Sequence, residues 1–329
     1  MQFFAPQSHP IVIDAGSALI KVAYRGKLLW QQPTVVAVDR QTQTAITIGK
    51  LASEQLSVSS GGQLQAVFPV HAGRVANFAL LEYYFNTLLS QLVWVDGSSV
   101  SRQTPITLIL SSALSLVHRQ EWAHTIRQLG RKVHLHSESE VVRLCFPERE
   151  ASFWVIDFGQ NHTQCTLFGP DAYCESRSFP WGVNRLLTAL SRAIQQEGIA
   201  ISEQQLTTIL KEVVTIRLEH QSPKKRRMAV VAKQLQTSSL SQLLIREEVI
   251  EREVETVLQQ WLWTVSQYLR DLARGAEWAN QVGLCYLTGG GAGIHGLLAV
   301  MEQELFAGQT KIQPIQSWTT LLSEYYEKT

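Results

Sequence analysis

The chain has 329 residues, of which 45% are apolar and 17% charged, and its formal net charge is +1. That balance is globular, and the length allows two domains with full cores. It excludes a broad electrostatic footprint for nucleic acid, and no apolar run reaches the ~18 residues needed to span a bilayer.

In chain order, residues 11–39 are predicted to form three short strands, with Pro33-Thr34-Val35-Val36-Ala37-Val38 as the third, and residues 44–48 a fourth. Residues 50–66 are polar and contain Ser59-Ser60-Gly61-Gly62, which reads as a loop. Residues 80–92 have helical spacing, with Leu81, Phe85, Leu88, Leu89 and Leu92 on one face. A strand over 105–110, a helix over 116–129 ending at Gly130, a strand over 133–135 and a helix over 139–146 follow. The second half opens with a hairpin from Phe153 to about Phe168, and residues 173–179 continue its sheet. Helices are expected over 183–194 and 202–216, then a basic turn, Pro223-Lys224-Lys225-Arg226-Arg227, and a hairpin over 228–244. Residues 247–273 carry the strongest helical pattern, with Ile250, Val254, Val257, Leu258, Trp261, Val265, Tyr268, Leu269 and Leu272 at spacings of mostly three and four. Helices over 292–305 and 318–326 close the chain, and the order as a whole fits two α/β units.

The start, Met1-Gln2-Phe3-Phe4-Ala5-Pro6, lacks a basic region and a long apolar core, so no signal peptide is expected. Cys145, Cys165, Cys174 and Cys285 show no CxxC spacing and read as reduced residues of a cytosolic protein. The nine histidines are scattered, with His134-x-His136 the closest pair and no ligand-like companion beside it.

Three stretches carry chemistry. Ile11-Val12-Ile13-Asp14-Ala15-Gly16-Ser17 is an apolar run ending in Asp and a Gly-Ser turn, and the next run carries Lys21. Gly16 and Ser17 can aim N–H groups at phosphate oxygens, Asp14 can hold magnesium through water, and Lys21 can reach the same phosphates. An ordinary hairpin with a polar turn is the plainer reading of this stretch alone. Phe153-Trp154-Val155-Ile156-Asp157-Phe158-Gly159 then repeats the pattern, and Leu284-Cys285-Tyr286-Leu287-Thr288-Gly289-Gly290-Gly291 runs an apolar strand into a glycine cluster.

Two Asp-x-Gly hairpins and a late Thr-Gly-Gly-Gly resemble the actin and sugar-kinase ATPase superfamily, in which two related domains close on ATP. Within it, the chain looks most like the bacterial actin homologues of the MreB type. Pro33-Thr34-Val35-Val36-Ala37 and the stretch from Phe68 to Phe78 (FPVHAGRVANF) carry that likeness further. The resemblance implies an actin-like α/β fold, two related α/β domains around a nucleotide cleft. It places domain I at 1–150, with a small subdomain at about 34–66 and a returning segment at 312–329. Domain II then covers 151–311, with a small subdomain at about 198–242.

The resemblance also implies roles. Asp14 and Asp157 would hold Mg2+ and its water shell; Gly16, Ser17, Lys21, Gly159, Gln160 and Asn161 would face phosphate. Gly289, Gly290 and Gly291 would pack against the nucleotide, with Lys211 and Glu212 flanking the adenine. Glu138 and Asp157 would be catalytic, Glu138 by orienting the attacking water; a helix-capping role for Glu138 is the alternative. The family's second phosphate motif is Asp-x-Gly-x-Gly-x-Thr, and here Asn161 stands at the second glycine, where its side chain is expected to occupy phosphate space. Ser139 replaces the Pro that follows the catalytic Glu.

The function implied is an ATP-binding, filament-forming cytoskeletal protein, cytoplasmic and at the inner face of the membrane, with itself, the inner membrane and envelope proteins as partners and no nucleic acid. The alternatives are a non-polymerising or hydrolysis-impaired nucleotide-binding assembly protein, which Asn161 favours, and a sugar or acetate kinase, for which no catalytic base stands out. MreB-type proteins touch the membrane through a hydrophobic loop; Val93, Trp94 and Val95, with Phe3 and Phe4, are the candidates here, and a Trp94 folded onto its own domain is the alternative.

Overall fold

The computed structural model describes residues 9–59, 62–92, 100–101, 103–112, 114–145, 152–170, 173–222, 225–232, 246–315 and 317–328. The chain divides into two compact units, Met1–Glu148 with Ser317–Thr329, and Arg149–Gln316.

In the first unit, β1 (Ile11–Ala15), β2 (Leu19–Tyr24) and β3 (Lys27–Pro33) pair as an antiparallel run. The chain then leaves that sheet. β4 (Val36–Asp39), β5 (Ala45–Ile48) and, after helix α1 (Gly49–Val58), β6 (Leu64–Val67) make a separate three-stranded sheet in the order β5-β4-β6. A short hairpin, β7 (Val70–His71) with β8 (Arg74–Val75), leads into α2 (Phe78–Gln91). β9 (Ile106–Leu110), α3 (Leu116–Gln128), β10 (Val133–Ser137) and α4 (Glu138–Cys145) follow. The main sheet has the order β10-β9-β1-β2-β3, with β1, β9 and β10 parallel. Its core joins Ile11, Ile13, Ile20, Val22, Ile106 and Leu108 from the strands to side chains of α2 and α3 such as Phe85 and Trp122. All five residues of β9 are buried, which is why it reads as an unbroken apolar run and not an alternating one.

In the second unit, β11 (Phe153–Phe158), β12 (Thr163–Phe168) and β13 (Cys174–Phe179) again form an antiparallel run. α5 (Val183–Gln196), α6 (Glu203–Thr208) and a π turn at Ile209–Val213 lead to the ribbon of β14 (Val214–Ser222) and β15 (Lys225–Ala232). α7 (Glu247–Ala273), β16 (Leu284–Thr288), α8 (Leu297–Phe306) and β17 (Lys311–Pro314) complete it, and the last helix of the chain, α9 (Trp318–Lys328), packs on β1 and α4 of the first unit. The sheet order is β13-β12-β11-β16-β17, with β11, β16 and β17 parallel. Strand for strand and direction for direction, this repeats the main sheet of the first unit.

Several expectations shift. The polar stretch 50–66 contains α1, whose Ala52 and Leu56, four residues apart, pack on Val35, Ala37 and Leu64; so narrow a stripe leaves little apolar signal. The expected third strand is split, because the strand ends at Pro33 and β4 belongs to another sheet. The helix expected to reach 216 yields at Val214, where β-branched Val213, Val214, Thr215 and Ile216 favour extended backbone. The ribbon therefore runs from Val214 to Ala232, ahead of the 228–244 hairpin expected, and Lys225–Arg227 of the basic run lie within β15. α8 starts at Leu297 and not at 292, behind Gly296 with φ +82°. The segment returning to the first unit begins at Ser317 and not at 312, since β17 is hydrogen-bonded to β16.

α7 spans the residues expected and buries Val249, Ile250, Val254, Leu258, Trp261, Leu262, Val265, Leu269 and Leu272. Trp261 is the anchor: its ring stacks on Phe158 with centroids 4.1 Å apart, and its Nε1–H donates to Thr163 Oγ1 at 2.8 Å. Trp261→Ala is therefore expected to cost about 3–5 kcal/mol of stability. Trp261→Phe keeps a stacked ring but loses the hydrogen bond and part of the buried volume, and is expected to cost less, about 1–3 kcal/mol. Denaturant unfolding followed by circular dichroism checks the order.

Candidate functional site

The first hairpin joins β1 to β2. Asp14 pairs with Lys21 across the strands, one residue before the last pair, Ala15 with Ile20. Their side chains meet, Lys21 Nζ lying 3.8 Å from Asp14 Oδ2. Burial raises the Asp14 carboxyl above its ordinary pKa, and Lys21 pulls it partly back. The turn is braced from two sides. Thr34 Oγ1 donates to Gly16 O at 2.8 Å, and Gly73 N–H donates to Ser17 Oγ at 3.0 Å. Gly73 sits at the tip of the β7–β8 hairpin, where Ala72 and Gly73 both have positive φ, and its carbonyl accepts from Trp122 Nε1 at 2.8 Å. The stretch from Phe68 to Phe78 thus includes a clamp on the first turn.

The second hairpin has the same register. Asp157 pairs with Gln164, one residue before Phe158 with Thr163. Gly16 corresponds to Gly159, Ser17 to Gln160, Ala18 to Asn161 and Lys21 to Gln164. A Cβ on Gly16 would lie 2.7 Å from Leu19 O and one on Gly159 3.0 Å from His162 O, so both turns need glycine for the same close approach. Asn161 is not in left-handed backbone. Its Oδ1 accepts from Asn184 Nδ2 at 2.5 Å, so the side chain has a partner within the protein. The backbone at this position therefore does not call on the left-handed freedom of glycine.

The glycine cluster follows β16, which pairs Thr288 with Asp157. Gly289 has φ +88°, and a Cβ there would lie 2.4 Å from Asp157 Oδ1. On Gly291 a Cβ would lie 2.0 Å from the Phe158 ring. These two glycines serve the approach of β16 to β11. At Gly290 the nearest atoms to an added Cβ are Val183 Cγ2 at 3.8 Å and Gln160 Oε1 at 3.9 Å. The cluster, the second turn and the start of α5 therefore meet at Asp157, Gln160 and Gly290. Lys211 and Glu212 are exposed on the π turn before β14, which is tied to the residue before Gly296 by Ile216 N–H to His295 O at 2.8 Å.

Glu138 opens α4 at the carboxyl end of β10, two residues past His136, which lies in one cross-strand row with Ile109 and Asp14. The reciprocal cap of α4 is made by its neighbour: Glu140 N–H donates to Ser137 Oγ at 3.2 Å and Ser137 N–H to Glu140 Oε2 at 2.6 Å. His136 Nε2 lies 3.0 Å from Tyr326 Oη, fastening the same corner to α9. Among the described residues no three His, Cys, Asp or Glu gather as a metal site, so a cation here would rest on single carboxylates and water. The fit to a nucleotide rests on the turns: among the described residues no acceptor stands opposite the N–H groups of Ser17 and Ala18, or of Gln160 and Asn161.

The profile of the MreB/Mbl protein family matches residues 8–313. The chain belongs to the MreB/Mbl family. Crystal structures of Spiroplasma citri MreB5 are similar throughout. The AMPPNP-bound one has a TM-score of 0.71 at 16% identity, covering 97% of this chain and 94% of that one. The ADP-bound one has a TM-score of 0.71 at 17% identity, covering 98% and 96%. The cell shape-determining protein Mbl of Bacillus cereus is 32% identical over 83 residues, 24% of this chain; the match spans a quarter of that relative's length. At these identities the solved structures show the actin-like fold of MreB.

Against the family's motifs, the residues that sequence reasoning missed are Asn184, Thr34, Gly73 and Glu140. The capping pair was legible as Ser137-x-x-Glu140; Asn184 left no signal beyond its place at a helix start. Val93, Trp94, Val95, Phe3 and Phe4 lie outside the described residues. The two kinds of glycine in the cluster separate by mutation. Gly291→Ala is expected to lower stability by about 1–3 kcal/mol or more through overpacking on Phe158. Gly290→Ala is expected to stay within about 0.5 kcal/mol of the parent. Thermal melts of the two variants compare them.

Proposed function

We propose that this chain is an ATP-binding, filament-forming, actin-like cytoskeletal protein acting in cell shape or in scaffolding envelope machinery. The observation that supports it most is the repeated hairpin: each unit has an aspartate one residue short of the end of its first strand, followed by a turn with N–H groups open to an anion. The nucleotides held by the MreB5 structures and the cell-shape role named for the Mbl relative point the same way. In this reading Asp14 and Asp157 hold Mg2+ through its water shell. Gly16, Ser17, Lys21, Gly159, Gln160 and Asn161 face the phosphates, Gly289, Gly290 and Gly291 the nucleotide, and Lys211 and Glu212 the adenine. ATP brings a γ-phosphate bond whose cleavage can be coupled to assembly. Glu138 is the carboxylate that accepts a hydrogen bond from the attacking water, while Glu140 and Ser137 make the helix cap.

A second reading, a nucleotide-binding assembly protein that does not polymerise or hardly hydrolyses ATP, draws on Asn161 and Ser139 at positions where the family has glycine and proline. Electron microscopy of the purified protein with and without ATP separates the two: filaments that need nucleotide support the first, and their absence the second. No helix among the described residues is long and apolar enough to cross a membrane. We place the protein in the cytoplasm, at the inner face of the membrane, through Val93, Trp94, Val95, Phe3 and Phe4.

Two outcomes test this. Asp14→Ala and Asp157→Ala are each expected to weaken calorimetric binding of Mg-ATP at least tenfold, about 1.4 kcal/mol, while circular dichroism still reports a folded chain. Equal affinity in parent and variants would remove the site. Assembled protein is expected to pellet with anionic liposomes, and Trp94→Ser with the Phe3 and Phe4 side chains removed is expected to stay in the supernatant, since many weak contacts add only in a polymer.

A further inference from the structure

The second turn is tied to the start of α5 at four points. Val183 N–H donates to Gly159 O at 3.0 Å, and Asn184 N–H donates to Gln160 O at 2.9 Å. The Asn184 side chain makes the other two: Nδ2 donates to Asn161 Oδ1, and Oδ1 accepts from Gln160 Nε2. Gly182 allows the approach, because a Cβ there would lie 2.4 Å from Gln160 O. Among the described residues the first hairpin turn has no such tie to a helix; its Ala18 O accepts from Thr34 N–H at 2.9 Å instead. It is braced at Gly16 and Ser17 by Thr34 and Gly73, and its counterpart of Asn161 is Ala18, whose methyl needs no partner.

A free asparagine in a turn competes for the turn's own donors. Its Oδ1 readily bonds nearby backbone N–H groups, the arrangement of an Asx turn. In the second turn that would consume the groups a phosphate requires. Asn184 offers Asn161 Oδ1 another donor. By accepting from Gln160 Nε2 it also occupies the neighbouring amide, so the three side chains form one chain of neutral hydrogen bonds. Neutrality matters: an aspartate at 184 would accept from Gln160 but could not donate to Asn161, and would set a negative charge beside the phosphates.

We propose that Asn184 is the positioning residue of the second phosphate turn. It holds the side chains of Gln160 and Asn161 against the start of α5 and keeps the turn's N–H groups open, although a side chain stands where the family has glycine. The proposal rests on the nucleotide reading above and assigns that site's geometry to a residue outside its motifs.

The test is a double-mutant cycle on the full chain, with Mg-AMPPNP affinity by calorimetry and ligand-free melting as separate readouts. Asn184→Ala is expected to weaken binding about tenfold in the parent and less than about threefold in an Asn161→Gly background, where no side-chain oxygen needs holding. If Asn184 only fastens α5, it lowers the melting midpoint equally in both backgrounds and leaves affinity unchanged; that result overturns the proposal. An equal tenfold loss in both backgrounds overturns it too. Should Asn184→Ala not fold, Asn184→Ser, a residue favoured at helix starts and too short to span both amides, takes its place with the same expected ratios. A parent that binds no Mg-AMPPNP overturns the nucleotide reading, and this proposal with it; a parent that binds with no change in Asn184→Ala overturns this proposal alone.

Discussion

Each unit depends on one constraint: a carboxylate has to stand one residue short of the end of a buried strand, with a tight turn beyond it. Burying a carboxylate is costly unless something compensates it. In the first unit Lys21, directly across the strand pair, provides the compensation. In the second, the corresponding residue is Gln164, which is buried and donates to Thr166 Oγ1. The two hairpins are alike in backbone and register but not in charge.

The elements around the hairpins follow from holding those turns in place. In the first unit the brace comes from Thr34 and from the β7–β8 hairpin, itself anchored by the fully buried Trp122. In the second unit it comes from α5, and from a Trp261–Thr163–Trp181 relay in which Thr163 Oγ1 accepts from one tryptophan and donates to the other's carbonyl. The same sheet topology is thus stabilised by different local chemistry. That explains how the chain keeps the MreB fold along nearly its whole length at 16–17% identity to solved relatives. Close packing constrains volume and pattern more than identity.

The glycine cluster joins internal packing to ligand access. Gly289 and Gly291 let β16 lie against Asp157 and Phe158, and Phe158 in turn stacks on Trp261 of α7. Only Gly290 of the three has open space limited by Val183 and Gln160. A run of three similar residues therefore divides into two that the core requires and one that faces the turn.

The sequence by itself determined the buried strands, the long helix α7 and the family. Unbroken apolar runs, a sustained spacing of three and four, and short glycine motifs are local signals, each readable without knowing the partner. α1 and the β14–β15 ribbon were not legible in the same way. α1 buries little beyond Ala52 and Leu56, and the ribbon starts where β-branched residues overrule a helical pattern. The two aspartates were legible because they end apolar strands. The partners that hold their turns were not: Gly73 lies 56 residues from Ser17, and Asn184 lies 23 from Asn161. Which donor meets which acceptor over such separations depends on how helices and hairpins pack on the sheet, and only the tertiary structure decides that.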